Sequence, residues 1–157
     1  MKENKTLQRY EFKYFLAKEI AGEIKEHASK FMILDKYANC ELNNRYLVRS
    51  IYFEDNFNSN FDEKVNGYRI RKKFRLRYYN KNINVGPVFL ETKGRNLERT
   101  YKRRVKINLS DIEIIKEKKF VYNLLNKYPE SVPIQDFVFE FYKKQLRPKI
   151  LIDYERQ

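Results

Sequence analysis

The sequence predicts an α+β fold in which about six strands form one antiparallel sheet and two or three helices flank it. Several segments alternate apolar and polar residues with the period of 2 that is typical of a strand. Other segments repeat apolar residues every three or four positions, as an amphipathic helix does. Because the strands follow one another in hairpin-like runs, antiparallel pairing is favoured over parallel pairing.

The chain opens with a predicted strand and a predicted helix. Residues 7–15 alternate and place three charged side chains on one face: Arg9, Glu11 and Lys13. Residues 16–31 change to a helical period, with three apolar residues spaced four apart: Leu16, Ile20 and Ile24. That spacing predicts an amphipathic helix.

Two strands separated by a break follow. Residues 45–55 are rich in β-branched and aromatic residues, which favours a strand. Residues 56–67 are predicted to be a loop or a short helix that ends at Gly67. Residues 68–79, YRIRKKFRLRYY, predict a strand with apolar residues at even positions, Lys72 excepted. Their odd positions carry five cations: Arg69, Arg71, Lys73, Arg75 and Arg77.

A hairpin is predicted next. Residues 79–87 have the Asn, Gly and Pro composition of a turn. Residues 88–93 predict a strand, and residues 94–100 turn the chain. Residues 101–109 predict the partner strand, with three cations on one face: Lys102, Arg104 and Lys106.

Helices and one more strand are predicted for the remainder. Ser110 followed by Glu113 matches a capping box, so a helix of about 16 residues is expected from there. Residues 134–145 fit either a short helix or an apolar strand, and we favour the helix. Residues 147–157 predict the final strand.

Composition limits the class of protein. A chain of 157 residues predicts one domain, residues 1–157. The 34 Lys and Arg exceed the 21 Asp and Glu and give a net charge of +13, which implies an anionic partner. The single cysteine, Cys40, excludes an intramolecular disulfide. We predict a cytoplasmic location, because the sequence shows neither a signal peptide nor an apolar run of the roughly 20 residues that span a membrane.

Charged faces recur on most of the predicted strands. For one strand taken alone, a solvated surface is the simpler interpretation. Two features favour a ligand site instead. Arginine, whose planar fork matches two phosphate oxygens, dominates residues 68–79. Glu11 and Glu91 each stand two residues before a lysine, Lys13 and Lys93, and therefore share a strand face with it. Phosphoryl chemistry requires cations that hold phosphates and carboxylates that hold a metal.

Six motifs occur in order between residues 9 and 156: RYEFKY, VRSIYFED, YRIRKKFRLRYY, FLETKGR, YKRRVKI and LRPKILIDYER. With them the chain resembles the VTC domain, the polyphosphate polymerase domain of the CYTH-like triphosphate tunnel metalloenzyme superfamily. The resemblance implies an antiparallel β-tunnel with a basic interior, a bound Mn²⁺ or Mg²⁺, and transfer of the ATP γ-phosphate onto a polyphosphate chain. VTC domains continue past the last motif, so the expected tunnel is incomplete at its C-terminal end.

The resemblance also implies site residues. The expected phosphate-binding side chains are Lys13, Arg75, Arg77, Lys93, Arg104, Lys106 and Arg156, and the match does not decide between Arg104 and Lys106. Four more cations extend the expected basic face: Arg9, Arg69, Arg71 and Lys73. Glu11 and Glu91 are expected either to hold metal or to form salt bridges with neighbouring cations. No protein nucleophile is expected.

Other functions stay open at this point. A hydrolase of the same superfamily would transfer phosphate from ATP or another triphosphate to water. A non-catalytic module would bind polyphosphate or inositol phosphates without turnover. Nucleic-acid binding is disfavoured because the sheet motif of RNA-recognition domains is missing from the sequence. An open sheet edge would allow a homo-oligomer.

Overall fold

The computed structural model describes residues 8–38, 43–80, 84, 86–118 and 121–157, so Cys40 lies outside the described residues. Six strands form one sheet: β1 (Gln8–Arg9), β2 (Tyr46–Glu54), β3 (Ile70–Tyr78), β4 (Val88–Asn96), β5 (Arg99–Ile107) and β6 (Arg147–Arg156). The helices are α1 (Lys18–Ser29), α2 (Ser59–Val65), α3 (Leu109–Glu117), α4 (Asn123–Lys127) and α5 (Val132–Lys143). All paired strands are antiparallel, which confirms the predicted α+β class.

The sheet is open rather than closed into a tunnel. Its strand order is β1-β5-β4-β3-β2-β6, so β1 and β6 form the two edges. The β4–β5 hairpin turns at Leu97, whose φ of 54° lies in the left-handed region. An open antiparallel sheet with helices beside it agrees with the expectation of an incomplete tunnel.

The register of the strands decides which residues share a face. Arg75 of β3 lies opposite Tyr52 of β2 and Glu91 of β4, and Glu91 lies opposite Arg104 of β5. Directly opposed residues project to the same side of a sheet. We call this side, which carries the odd-numbered cations of β3, the cleft face, and the opposite side the helix face. The alternation predicted for residues 68–79 is therefore confirmed.

The helix face carries the hydrophobic core. Phe74, Leu76 and Leu90 are at most 2% exposed. They belong to one cluster with buried residues of α3, α4 and α5: Ile112, Ile115, Leu124, Ile134, Phe137 and Phe141. Each such side chain contributes about 1.5–3 kcal/mol when fully buried. The helices thus stabilise the sheet from one side.

The first predicted strand is shorter than expected. Residues 7–15 were predicted to be a strand, but β1 covers Gln8–Arg9, while residues 10–17 have no regular structure and residue 7 lies outside the described part. Beyond Arg9 the side chain of Glu11 pairs with Lys93 of β4 on the cleft face. Beyond Arg9 this segment therefore contacts β4 through a side chain rather than through a continued backbone ladder.

The helix predicted from Ser110 is also corrected. Its first cap is Asn108, whose backbone N–H donates to Asp111 Oδ2 at 2.9 Å, so the capping pair lies two residues before the predicted one. The helix ends at Glu117, because the next residue, Lys118, has a left-handed φ of 58°, and α4 follows as a separate helix. Asp111 is fully buried and accepts hydrogen bonds from Lys127 and Tyr128, which hold α4 against α3.

The remaining predicted elements are present. Residues 56–67 contain the short helix α2, and residues 134–145 contain most of α5, so the preferred helical interpretation is confirmed. The amphipathic helix α1 forms as predicted, yet none of its residues is buried. None of the helices in the described ranges is long and apolar enough to cross a membrane.

Candidate functional site

A cleft of about 680 Å³ lies on the cleft face of the sheet. Eight cationic side chains line it: Arg9, Lys13, Lys73, Arg75, Arg77, Lys93, Lys102 and Arg156. Among the described lining residues Glu11 is the one carboxylate. Such an excess of positive charge around one concave space attracts anions.

Glu91 of β4 lies at the centre of the cation cluster and is fully buried. Its Oε2 accepts from Arg75 Nε at 2.8 Å and lies 3.9 Å from Arg77 Nε. Its Oε1 lies 2.8 Å from Lys102 Nζ on β5. One carboxylate therefore holds cations from two neighbouring strands in place.

The local electrostatics keep Glu91 ionised. Burial alone would raise the pKa of Glu91, but the charges of Arg75, Lys102 and Arg77 outweigh burial and hold its pKa below the ordinary value. Burial also lowers the pKa of Lys73 and of Lys102, and for Lys102 the contact with Glu91 partly opposes this. The charged form of a lysine that loses solvation in this way is stabilised when a bound anion supplies a counter-charge.

Two hydroxyl groups of β2 fix the arginines of β3. Arg75 Nη1 donates to Tyr52 Oη at 2.7 Å, and Arg77 Nε donates to Ser50 Oγ at 3.1 Å. The ring of Tyr154 on β6 lies 5.9 Å from the Arg77 guanidinium carbon. These contacts hold both guanidinium groups at the base of the cleft.

Glu11 bridges the N-terminal segment to β4. Lys93 Nζ donates to Glu11 Oε2 at 2.9 Å and to Oε1 at 3.1 Å, while Lys13 Nζ lies 4.0 Å from Oε1. The hydrogen bond from Lys93 lowers the pKa of Glu11. Lys13 itself is 81% exposed at its side chain and remains available to a ligand.

A second cleft of about 430 Å³ adjoins the first and shares several of its lining residues: Glu11, Lys13, Lys73, Lys93 and Thr100. It adds four cations, Lys64, Arg71, Lys72 and Arg95, and one carboxylate, Glu63. Because the two clefts share one wall, the basic surface extends beyond the space that a single compact anion needs.

The structure gathers many of the residues predicted from the sequence. Five of the predicted phosphate-binding residues line the first cleft: Lys13, Arg75, Arg77, Lys93 and Arg156. Arg9 and Lys73 line it as well, and Arg71 lines the second cleft. Arg69 lies apart from both and pairs with Glu98 at 3.3 Å. The assignment of these residues to phosphate binding stays a prediction.

Arg104 and Lys106 are not among the residues that line either cleft. Arg104 lies directly opposite Glu91 in the register but stacks over the Phe89 ring, with its guanidinium carbon 4.9 Å from the ring centroid. Lys102 contacts Glu91 from the diagonal position instead. Lys102 is expected on the same face as Arg104. Lys102, Tyr52 and Tyr154 are not among the residues predicted for the site.

The carboxylates differ in how well they suit a divalent metal. Within the described ranges no group of three or more His, Cys, Asp or Glu side chains could hold a metal ion. Glu91 does not fit, because it is fully buried and lines neither cleft. Glu11 lines the cleft with its side chain 27% exposed and can offer one ligand. Mg²⁺ commonly takes one or two carboxylates and completes its shell with phosphate oxygens and water.

Comparison with models of protein families matches the VTC domain over residues 8–157. No curated protein matches the chain. The match covers all six strands and therefore every element that contributes to the cleft.

Proposed function

Because the chain belongs to the VTC domain family, we propose that it is a polyphosphate polymerase-like domain that transfers the γ-phosphate of ATP onto a polyphosphate chain. The observation that carries the proposal is the convergence of eight cations on one cleft with a single lining carboxylate among the described residues. Linked phosphoryl groups present the dense negative charge that this surface would neutralise.

In the proposed reaction no protein nucleophile takes part. A terminal phosphate oxygen of the polyphosphate chain attacks the γ-phosphorus of ATP, the bond to the β,γ-bridging oxygen breaks, and ADP leaves. Arg75 and Arg77, held by Tyr52 and Ser50, position the phosphoryl groups in line. Lys73 and Lys102 neutralise charge that develops on the oxygens.

We further propose that Mn²⁺ or Mg²⁺ accompanies the triphosphate, with Glu11 as its protein ligand. A divalent cation would supply charge neutralisation at the phosphate oxygens. Glu11 lies beside Lys93 in the wall that both clefts share, which places it next to the proposed phosphate path. Glu91 is left out of this role because it is fully buried and lines neither cleft.

Incubation of the chain with ATP and Mn²⁺ tests the reaction, with gel analysis for polymer and a separate assay for free phosphate. Polymer supports the proposal. Free phosphate without polymer indicates a hydrolase, in which water replaces the phosphate chain as acceptor. Binding of tripolyphosphate without either product indicates a binding module.

Two exposed cations of the cleft offer a cleaner mutational test than Arg75, whose removal would strip a partner from buried Glu91. We predict that the double variant Lys13→Ala/Arg156→Ala weakens tripolyphosphate binding at least about tenfold, because a hydrogen bond between charged groups contributes about 1.5–3 kcal/mol. Isothermal titration calorimetry measures the change. The control Lys25→Ala/Arg69→Ala removes the same charge from exposed positions that do not line the clefts. Equal losses in both double variants would contradict the site.

The predicted cytoplasmic location agrees with ATP as the donor and stays a prediction. Self-association through an open sheet edge is likewise proposed, since both edge strands of the sheet are exposed.

A further inference from the structure

We propose that Tyr52 binds the phosphate chain directly, by donating its phenolic hydrogen to a phosphoryl oxygen in the cleft. This inference rests on the proposed function, because it assigns one more ligand to the same site. Tyr52 lies on β2, opposite Arg75 in the register, and lines the cleft with its side chain half-buried.

The hydrogen bond with Arg75 fixes the polarity of the phenol. Arg75 Nη1 lies 2.7 Å from Tyr52 Oη. A guanidinium group has donors and no acceptor, so the phenol oxygen must accept this bond. The hydrogen of Tyr52 therefore points away from Arg75. In the described part of the chain the hydrogen bond accepted from Arg75 is the one that Tyr52 Oη makes, which leaves its donor for a ligand.

The charges around Tyr52 suit a bond to an anion. Lys73 Nζ lies 5.0 Å and the Arg75 guanidinium carbon 5.6 Å from the centre of the Tyr52 ring. Burial alone would raise the pKa of Tyr52, but Arg75, Lys73 and Arg77 outweigh it and lower the pKa. A more acidic phenol is a stronger donor, and hydrogen bonds from a hydroxyl to an anionic oxygen are short and strong.

Ser50 provides a contrast within the same strand. Its Oγ likewise accepts a hydrogen bond from Arg77 Nε at 3.1 Å, but Ser50 is fully buried and does not line the cleft. Ser50 is therefore a positioning residue for Arg77. Tyr52 combines the same contact with access to the cleft, which singles it out as a ligand.

The first test measures tripolyphosphate binding by calorimetry for the parent chain, Tyr52→Phe and the control Tyr68→Phe. Tyr68 is 57% exposed and lines neither cleft. We expect Tyr52→Phe to bind about tenfold more weakly and Tyr68→Phe to bind like the parent. Because no charge is removed, the dependence of affinity on salt should stay that of the parent. Parent-like affinity of Tyr52→Phe would overturn the inference, whereas a parent chain that fails to bind would overturn the proposed function.

The second test distinguishes donation by Tyr52 to the anion from its role as acceptor for Arg75. It also tests the inference if Tyr52→Phe folds poorly. Replacement of Tyr52 by 3-fluorotyrosine makes the phenol a better donor and a weaker acceptor with almost no change in shape. If Tyr52 donates to the anion, the affinity for tripolyphosphate rises at a pH where the phenol stays protonated. If Tyr52 acts by accepting from Arg75, the affinity falls, and the inference is wrong.

Discussion

At the scale of single residues, Glu91 stabilises the two buried arginines of the cleft, Arg75 and Arg77. Arg75 and Arg77 are 10% and 6% exposed at their side chains, so they would repel each other in a poorly solvated place. Glu91 supplies the counter-charge from the adjacent strand. Removing one partner of a buried pair costs about 3–5 kcal/mol, because the remaining charge is left uncompensated.

We therefore predict that Glu91→Gln lowers the free energy of unfolding by about 3 kcal/mol or more at pH 7. Urea denaturation followed by circular dichroism measures this change. The matched control is Glu98→Gln, since Glu98 is 59% exposed and its pairs with Arg69 and Arg95 lie on the surface. Exposed pairs contribute at most about 1 kcal/mol. A loss in Glu91→Gln no larger than in the control would contradict this role.

The difference between the parent and Glu91→Gln should also depend on pH. The pKa of Glu91 is lower in the folded chain than its unfolded value of about 4.3. Its contribution is therefore complete above the unfolded value and is lost as the pH falls through the folded pKa. The stabilities of the two proteins should converge in acid, and a constant difference from pH 7 to about pH 3 would count against Glu91 as an ionised partner.

Some of these residues could be predicted from the sequence and others could not, for a physical reason. The alternation of residues 68–79 was enough to place Arg75 and Arg77 on one face, because a strand has a fixed period of 2. The choice of Lys102 over Arg104 depends on which long side chain reaches Glu91 diagonally, and that contact follows from three-dimensional packing. Tyr52 was missed because its hydroxyl gains its role from pairing with Arg75.

At the scale of elements, the positions of three phenylalanines explain why residues 134–145 fit both a helix and a strand. In a strand Phe137, Phe139 and Phe141 would share one face. In the helix Phe137 and Phe141 are buried, while Phe139 is 62% exposed. The Phe137 ring lies 5.0 Å from that of Phe53 and 5.5 Å from that of Phe74. The helical period thus buries Phe137 and Phe141 and points Phe139 towards solvent.

Phe137→Ala is expected to lower the free energy of unfolding by about 3–5 kcal/mol, the usual cost of removing a fully buried aromatic side chain. Phe139→Ala, two residues along the same helix, should change it by no more than about 0.5 kcal/mol. Chemical denaturation of both variants tests the pair. Similar losses in the two variants would mean that α5 packs on the sheet differently from the arrangement described.

The boundaries of several elements could not be predicted from local pattern. The helix predicted from Ser110 is divided because Lys118 adopts a left-handed conformation and Lys127 and Tyr128 reach back to Asp111. Those contacts join residues 16 and 17 positions apart, which lies beyond the reach of a capping or periodicity argument. β1 covers Gln8–Arg9 of the strand predicted for residues 7–15, and the Glu11–Lys93 contact that follows it joins residues 82 positions apart.

At the scale of the whole molecule, the sheet divides two kinds of surface. α3, α4 and α5 pack against the helix face, and the cleft face presents most of the cations discussed above. β6 lies at one edge, and nine of its ten residues are exposed. Its exposed apolar side chains include Ile150, Leu151 and Ile152. An exposed edge strand with apolar residues is a template for pairing with another strand.

We predict that the chain self-associates through β6 and that Leu151→Lys weakens this association. Leu151 lies opposite Ile51 on the helix face, so the substitution leaves the cleft lining intact. A lysine on an edge strand opposes pairing because it would have to be desolvated in the contact. Leu97→Lys is the matched control, since Leu97 is 50% exposed, against 57% for Leu151, and lies in the β4–β5 turn.

Analytical ultracentrifugation over a range of concentrations distinguishes the outcomes. The parent and Leu97→Lys should shift together towards larger species as concentration rises, and Leu151→Lys should stay monomeric over more of the range. Tripolyphosphate should not reverse the association, because Leu151 lies on the face away from the proposed ligand. A parent chain that is monomeric at every concentration, or association that Leu151→Lys leaves unchanged, would show that β6 does not pair between copies.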